Sequence, residues 1–331
     1  MPSNEHDAPS GPTNPHDALF RRILGEPANA ASELLAVLPP ALVGRLVLDR
    51  LTPVPASFVD EELRQRHSDL LFTAPLDGRE AFVYVLFEHQ SGTDALMAFR
   101  MLRYVVRIWD RHLGEHPEAT RLPAVIPVVL HHNRRPWTAP TEMLELIDLD
   151  PAVSETMRDY LPRFRFVLDD LARVDERALR ARPLTPVVLV TLYLFQRAPG
   201  NPRLAADLER CIDDLREIWA GTEHFPALLT YIHSVGEALT DDLRKLIATL
   251  GADAEEAYVT TAEMLRAEGE ARGEARGEVR GRAEALLQVL TLKFGALPES
   301  TLNAVHAASS DQIQAWTARA LAAATLEQVL R

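Results

Sequence analysis

The distribution of apolar and polar residues predicts a helix and a hairpin near the start of the chain. The helix begins at Asn14, a favourable N-cap that precedes a proline, and ends near Gly25. Two apolar runs, residues 68–75 and 81–88, flank an Asp-Gly pair typical of a two-residue hairpin turn. The second run is apolar on both faces, as expected of a strand inside a covered sheet.

The same pattern predicts the elements that follow. A long amphipathic helix covers residues 94–116, a buried strand covers 122–130, and a weaker strand candidate covers 163–168. From Leu184 to about Leu250 the apolar spacing is helical. We therefore predict an α/β fold with a helical C-terminal half.

A low-complexity run near the end of the chain, AEGEARGEARGEVRGRAEA, contains glycines at intervals of four. They are Gly269, Gly273, Gly277 and Gly281. Each glycine inside a helix costs about 1 kcal/mol relative to alanine, so we expect a polar helix of low stability. It is either a spacer or a surface for self-association, and we favour both over substrate binding. Residues 286–330 then form a small helical module.

Composition and charge narrow the classes of function. The formal net charge of −13 excludes a protein that is basic overall, so any nucleic-acid site must be a local patch. The single cysteine, Cys211, excludes a disulfide framework and a Cys-rich zinc module, and we expect it in the core. The only lysines are Lys245 and Lys293, which excludes lysine-dependent chemistry from the first two thirds of the chain.

Two features favour a soluble cytoplasmic protein without a membrane contact. No apolar run approaches the roughly 18 residues that a membrane span needs. The first residues lack the basic-then-apolar pattern of a signal peptide. Residues 1–13 show no apolar periodicity, so we predict a disordered tail.

The hairpin brings two carboxylates together. With a two-residue turn, Asp69 faces Leu86, and Glu88 is the diagonal neighbour of Asp69 on the same face, about 7–8 Å away at the backbone. Gln90 has the same parity. Two acids and an amide at a sheet edge suit a hard, oxygen-liganded cation such as Mg²⁺. Alternatively, both acids are strand-end residues that face solvent, and a turn one residue longer would place them on opposite faces.

Other acids are weaker candidates. Asp17 lies in the first turn of a helix, where the helix dipole alone favours an acid. Glu61 and Glu62 belong to an acidic run that is also typical of a solvated helix start.

The helix after the hairpin carries a row of arginines. Their spacing of 3, 4 and 4 residues confines Arg100, Arg103, Arg107 and Arg111 to a stripe of about 80°. Residues 94–135 contain seven arginines and four acidic residues, so this segment is locally basic. Guanidinium groups bind phosphate oxygens well. An equally good explanation is a solvated face paired with nearby acids. The predicted buried side contains Leu102, Val105, Val106, Trp109 and Leu113.

His131 and His132 follow the next strand. Adjacent residues of a strand point to opposite faces, so these histidines are poor joint metal ligands. We expect Trp137 to pack, with Arg134 and Arg135 on the surface.

As an ordered set, the motifs resemble the recombination-promoting nuclease family, also described as YhgA-like putative transposases. In chain order they are Asn14-Pro-His-Asp-Ala-Leu-Phe20, Ser57-Phe-Val-Asp60, Arg66-His-Ser-Asp-Leu70, Glu88-His-Gln-Ser91, Met97-Ala-Phe-Arg-Met-Leu-Arg-Tyr104, Ile126-Pro-Val-Val-Leu-His131 and Arg135-Pro-Trp137. The resemblance covers roughly residues 14 to 200. The segment from about residue 284 resembles a small domain of unknown function.

The resemblance implies a PD-(D/E)xK nuclease-like fold, a mixed sheet flanked by helices with metal-binding acids on a central hairpin. Asp69 then takes the first acid position and Glu88 the second, and Asp17 matches a helical acid that completes the metal site. Gln90 stands where the superfamily usually has lysine, so it would orient the water and leave its activation to the metal.

We therefore expect a DNA endonuclease of recombination or mobile-element type that depends on Mg²⁺, with Mn²⁺ as an alternative. Arg100, Arg103 and Arg107 would hold the DNA, and the C-terminal helices would support a homo-oligomer. The rival hypothesis is an inactive nuclease-derived scaffold that binds DNA or protein. The predicted domains are the tail (1–13), a nuclease domain (14–200), a helical extension (201–265), a spacer helix (266–283) and a small helical domain (284–331).

Overall fold

The computed structural model describes residues 14–54, 68–88, 93–150, 153, 156–221, 223–235 and 241–330. Among the sequence predictions, the disordered tail over 1–13 and the candidate residues Glu61, Glu62 and Gln90 lie outside the described residues. The side chains of Asp69 and Glu88 also lie outside them, although their backbone pairing is defined.

A mixed five-stranded sheet forms the centre of the fold, in the order β1-β2-β3-β4-β5. The strands are β1 (Thr52–Pro53), β2 (Ser68–Leu76), β3 (Arg79–Glu88), β4 (Ala124–His131) and β5 (Val167–Asp170). Strands β1, β2 and β3 pair antiparallel, whereas β4 is parallel to β3 and β5 is parallel to β4. The predicted α/β class with a mixed sheet is confirmed.

The β2–β3 turn fixes the register as predicted. Asp77 and Gly78 have φ values of 49° and 78°, as a two-residue type I′ turn requires. Leu76 therefore pairs with Arg79, and Asp69 pairs with Leu86.

The predicted strand over 163–168 is displaced along the chain. Strand β5 covers 167–170, because the residues before it pair elsewhere. The amide of Met143 donates to the carbonyl of Phe164, and the amide of Phe166 donates to the carbonyl of Thr141. This local pairing removes residues 164–166 from the sheet.

Most helices are close to where the apolar spacing predicts them. They are α1 (Pro15–Leu24), α2 (Pro27–Val37), α3 (Pro40–Val43), α4 (Met97–Glu115), α5 (Glu176–Arg180), α6 (Pro186–Arg197), α7 (Leu204–Leu208), α8 (Ile212–Gly221), α9 (Phe225–Val235), α10 (Asp241–Ala248) and α11 (Ala252–Phe294). Helix α1 begins as expected, with the Asn14 side chain accepting a hydrogen bond from the amide of His16 at 3.1 Å.

Two hydrophobic cores cover the two faces of the sheet. The α1 face carries Phe72, Val83, Val128 and Leu130, which pack with α1, α2 and α6. The α4 face carries Leu71, Phe82, Tyr84 and Val129, which pack with Met97, Met101, Tyr104 and Ile108 of α4 and with Trp137. Because side chains alternate along a strand, each strand contributes to both cores.

The buried side of α4 differs from the prediction. Met97, Ala98, Met101, Tyr104, Val105 and Ile108 face the core. Val106 and Leu113, which were predicted to be buried, are exposed. The methionines, the tyrosine and the alanine move the centre of the apolar side toward the arginines, so the arginines flank this side instead of opposing it.

The core on the α1 face continues beyond residue 200. Leu208, Leu215, Phe225 and Tyr258 belong to the same cluster as Phe20, and this compact unit extends to Thr261. Residues on both sides of the predicted boundary at residue 200 therefore share one hydrophobic core.

Cys211 is buried, as predicted. Burial raises the pKa of its thiol to about 11, and a guanidinium nitrogen of Arg180 lies 3.2 Å from Sγ. The thiol is therefore a core group that ionises only with difficulty.

The second compact unit covers Ala262–Arg331 and contains the end of α11 with α12 (Glu299–Ala307), α13 (Ser310–Ala322) and α14 (Leu326–Leu330). Its core includes Leu286, Leu290, Val305, Ile313 and Trp316. A Cβ placed on any of the four spaced glycines of α11 would meet nothing within 4 Å. Within the described ranges, no helix combines the length and apolarity that crossing a membrane requires.

Candidate active site

Three neighbouring strands end in polar residues at one edge of the sheet. Glu88 ends β3, His131 ends β4 and Asp170 ends β5, and the register pairs Glu88 with His131 and His131 with Asp170. Strand β2 is antiparallel to β3 and begins at this edge. Asp69 pairs with Leu86, so its backbone lies two residues along the strand from the row formed by Glu88, His131 and Asp170.

Strand alternation assigns positions 69 and 88 to one face. Leu71 and Tyr84 form a cross-strand pair on the α4 face, and positions 69 and 88 have the same parity as these two residues. Both predicted acids therefore occupy backbone positions on the α4 face at the edge where β3 and β4 end. Diagonal neighbours of this kind are about 7–8 Å apart, within reach of one shared cation.

His131 is enclosed beside this row. Its residue exposure is 1%, and its ring lies edge-on to Trp137 with 5.0 Å between the ring centroids. Its Nε2 is 3.2 Å from the carbonyl oxygen of Arg135. Its Nδ1 is buried and makes no hydrogen bond within the part of the chain that the structure describes. His131 is thus held by the loop that follows β4, with one ring nitrogen unused.

Asp170 fixes the same loop. Its carboxylate accepts hydrogen bonds from the amide of Trp137 at 2.8 Å and from Nε of Arg173 at 3.1 Å. It also accepts from the amide of Ala172 at 3.3 Å. These contacts hold the loop between β4 and Trp137 against the end of β5. As expected, Trp137 is buried, whereas Arg134 and Arg135 are exposed.

An acidic pair lies on the opposite face. Arg182 donates two hydrogen bonds to Asp169, at 2.9 and 2.7 Å, and its guanidinium is 3.5 Å from Glu33. Burial, the charge of Asp169 and a hydrogen bond to it raise the pKa of Glu33 well above its ordinary value, and Arg182 opposes this rise. Glu33 is therefore held in its protonated form over a wider pH range than a free glutamate.

Sequence reasoning missed both aspartates of β5. The available signal was an Asp-Asp pair that closes the apolar run Phe166-Val-Leu168, much as Glu88 closes β3.

Asp17 lies in the first turn of α1, which begins near the same edge. The ring of the neighbouring His16 is 4.9 Å from that of His132, the residue directly after β4. His16 Nδ1 is also 2.8 Å from the hydroxyl oxygen of Tyr231. Helix α1 packs on the α1 face, so Asp17 would approach the acids from the side opposite α4.

The arginines of α4 differ in how far they lie from this edge. The hydroxyls of Thr138 and Thr93 are 3.4 Å apart, which joins the segment before α4 to the loop after β4. Trp109, farther along α4, donates to the carbonyl of Pro123, just before β4 begins. Helix α4 therefore runs away from the site, and Arg107 is about 10 Å farther along the axis than Arg100.

Their side chains also differ in exposure. Arg100 is 16% exposed and donates to Asp94 at 2.8 Å. Arg107 is partly buried and already interacts with another group of the protein. Arg103 is exposed and forms no ion pair within the described part of the chain. Of the three predicted DNA contacts, Arg103 is the most accessible to a phosphate.

A metal cluster is not formed by described residues alone. Across the described ranges, no three His, Cys, Asp or Glu side chains are grouped to hold a metal ion. The side chains at positions 69 and 88 and the whole of Gln90 lie outside that comparison.

Comparison with known proteins gives a consistent result. The family model described as "Putative transposase, YhgA-like" matches residues 14–223. Recombination-promoting nuclease RpnD of Escherichia coli O157:H7 is 34% identical over 233 residues, 68% of this chain and 83% of the relative. Recombination-promoting nuclease RpnA of Escherichia coli K12 is 28% identical over 260 residues, 78% of this chain and 85% of the relative.

A third relative carries a different description. The inactive recombination-promoting nuclease-like protein RpnE of Escherichia coli K12 is 26% identical over 261 residues, 78% of this chain and 83% of the relative. No solved structure matches significantly.

Proposed function

Because the chain belongs to the family of YhgA-like putative transposases, whose relatives include proteins named as nucleases, we propose that it is a DNA endonuclease. It hydrolyses phosphodiester bonds with the help of Mg²⁺, or of Mn²⁺ as an alternative, in recombination or mobile-element chemistry. The observation that carries the proposal is the register of β2 and β3, which supports two acids meeting on one face where the strands end.

The donor set at this edge fits a divalent cation. Carboxylate oxygens from Asp69 and Glu88 are ligands that Mg²⁺ and Mn²⁺ accept. Because Asp17 lies on the opposite face of the sheet, it would add a third carboxylate only by reaching past the ends of the strands. When bound, the cation polarises a phosphoryl oxygen and lowers the pKa of a coordinated water.

The protein groups divide the remaining work. Asp69 and Glu88 hold the cation, and the Gln90 amide orients the attacking water in line with the scissile bond. Arg103 binds a phosphate of the DNA backbone from the first turns of α4, near the site edge. Arg100 and Arg107 lie beside it and add positive charge along the path of the strand.

A non-catalytic scaffold is the second candidate function. Gln90 replaces the lysine that the superfamily motif usually has, and one relative is described as inactive. In this alternative the same surface binds DNA or a partner protein without cleaving it.

Nicking of supercoiled plasmid by the purified full-length protein tests the proposal, with Mg²⁺, Mn²⁺ or EDTA. We expect cleavage in both metals, none in EDTA, and at least a 100-fold loss in Asp69→Asn and Glu88→Gln, since each removes a charged metal ligand. Asp77→Asn is the matched control. Asp77 lies in the exposed turn of the same hairpin, where asparagine accepts a positive φ equally well.

The other outcomes separate the hypotheses. Absence of cleavage by folded protein in either metal, with DNA binding retained, would favour the scaffold. Cleavage that survives both substitutions would show that other residues carry the chemistry.

We also propose a cytoplasmic protein that self-associates through its C-terminal helical region. Sedimentation velocity of the full chain and of a chain ending at residue 261 would test self-association, because only the full chain should form an oligomer.

A further inference from the structure

We propose that Nδ1 of His131 is a nitrogen ligand of the divalent cation in the candidate site, and that the site therefore prefers Mn²⁺ or a similar transition ion to Mg²⁺. The inference rests on the proposed function, because it deepens the metal centre at positions 69 and 88.

The first observation is an unused nitrogen. His131 Nδ1 is buried, and no group among the described residues makes a hydrogen bond with it. Buried polar atoms in folded proteins nearly always have a partner, so a partner outside the protein is the simplest explanation.

The second observation is the tautomer of the ring. A carbonyl oxygen can only accept, so the contact of Nε2 with the Arg135 carbonyl requires the proton to be on Nε2. Nδ1 then has a free lone pair. Metal-binding histidines are commonly held in this way, with one ring nitrogen donating to a backbone carbonyl and the other facing the metal.

The third observation is position. His131 is the direct cross-strand partner of Glu88, and neighbouring strands are about 4.8 Å apart. By parity it lies on the α4 face, with positions 69 and 88. A cation between the two acids would therefore be within reach of the imidazole.

The polar side chains next to His131 already have hydrogen-bond partners in the protein. Asp170 already accepts from the Trp137 amide, the Ala172 amide and Arg173. His132 uses its Nε2 on the carbonyl of Phe195 and packs on the α1 face. Of the two strand-end residues whose side-chain contacts are described, Asp170 already accepts three hydrogen bonds, whereas His131 retains a nitrogen without a hydrogen-bond partner.

The ligand type determines the metal class. Carboxylate ligands suit Mg²⁺ and Mn²⁺ alike, whereas an imidazole nitrogen is a softer ligand that suits transition ions, so it adds affinity for Mn²⁺ and little for Mg²⁺. We therefore expect full-length protein to bind Mn²⁺ at least about 10-fold more tightly than Mg²⁺.

Pulsed electron paramagnetic resonance of Mn²⁺ bound to the full chain tests the ligand without any variant. Protein labelled with ¹⁵N in histidine should show a directly bonded nitrogen coupling on the Mn²⁺ ion. Titration calorimetry should show that His131→Gln weakens Mn²⁺ binding by about 10–100-fold and Mg²⁺ binding less. His306→Gln, at an exposed histidine of α12, is the matched control and should change neither.

Each result decides between the two proposals. If wild-type protein binds neither Mn²⁺ nor Mg²⁺, the metal centre of the proposed function is wrong. If it binds Mn²⁺ in an Asp69-dependent manner without nitrogen coupling, the metal centre stands and the role of His131 is overturned. Nitrogen coupling that persists in His131→Gln would also overturn it. If that variant does not fold, the wild-type coupling alone decides.

Discussion

His131 and His132 are neighbours in the chain, yet their imidazoles lie on opposite faces of the sheet in different surroundings. His132 bonds the carbonyl of Phe195 in α6 and packs against the rings of His16 and Phe195. His131 bonds a carbonyl four residues away, and its other ring nitrogen has no hydrogen-bond partner among the described residues.

The two aspartates that end β5 also lie on opposite faces of the sheet and have different partners. Asp169 lies on the α1 face and is bound by Arg182, whose guanidinium also approaches Glu33 of α2. Asp170 lies on the α4 face and accepts mainly from the main chain of nearby loops.

The difference shows how one sheet edge serves two purposes. On the α1 face, polar groups at the strand ends connect helices that are distant in sequence, so they stabilise the tertiary structure. On the α4 face, they position a loop, and one buried ring nitrogen of His131 has no hydrogen-bond partner among the described residues. Substitutions on the two faces should therefore have separable effects on stability and metal binding.

The largest expected effect is on the α1 face. Arg182→Leu removes the cation that Asp169 and Glu33 share and leaves a buried carboxylate unpaired. We expect a loss of about 3–5 kcal/mol in the free energy of unfolding, measured with urea. Arg173→Leu is the comparison on the α4 face, since Arg173 is 66% exposed and pairs with Asp170. It should cost less than about 1 kcal/mol. Equal losses of unfolding free energy in the two variants would show that polar contacts on the two faces contribute equally to stability.

A smaller effect is expected from Asp170→Asn. The substitution weakens the charge-assisted hydrogen bonds to the Trp137 amide and Arg173, so thermal or urea unfolding should show a loss of about 1.5–3 kcal/mol. Because the same loop presents the Arg135 carbonyl to His131, Mn²⁺ affinity should fall as well. Asp175→Asn is the control, because asparagine caps α5 as well as aspartate does. Unchanged Mn²⁺ affinity in Asp170→Asn would show that the position of this loop does not affect metal binding.

The smallest effect is a change in pH dependence. The pKa of Glu33 is raised in the folded state, so its stabilising contribution is complete below the ordinary glutamate pKa and is lost as pH rises through the folded pKa. Glu33→Gln cannot titrate, so its unfolding free energy should lack this decline. Urea unfolding from pH 4 to pH 9 measures both slopes. Parallel curves for the two proteins would show that Glu33 titrates normally.

Much of the sheet edge was predictable from local sequence. The Asp-Gly pair determines a turn of two residues, and alternation then determines that positions 69 and 88 share a face. The start of α1 was equally local, because Asn14 and Pro15 form a known helix-start combination.

The remainder depends on contacts that no local pattern contains. Arg182 meets Glu33 across 149 residues of sequence, and His132 meets Phe195 across 63. The buried side of α4 was misassigned because Met97, Met101 and Tyr104 pack against the sheet, which a simple apolar stripe underestimates. The environment of His131 required the conformation of the loop that follows it.

The four spaced glycines of α11 restrict how another helix can lie on them. An interval of four residues exceeds the helical repeat of 3.6, so the glycines follow a row inclined by about 26° to the helix axis. A helix packed along that row would cross α11 at about 50° and touch it over a short length. The geometry of any such dimer would be an open cross, unlike the parallel seam of a coiled coil.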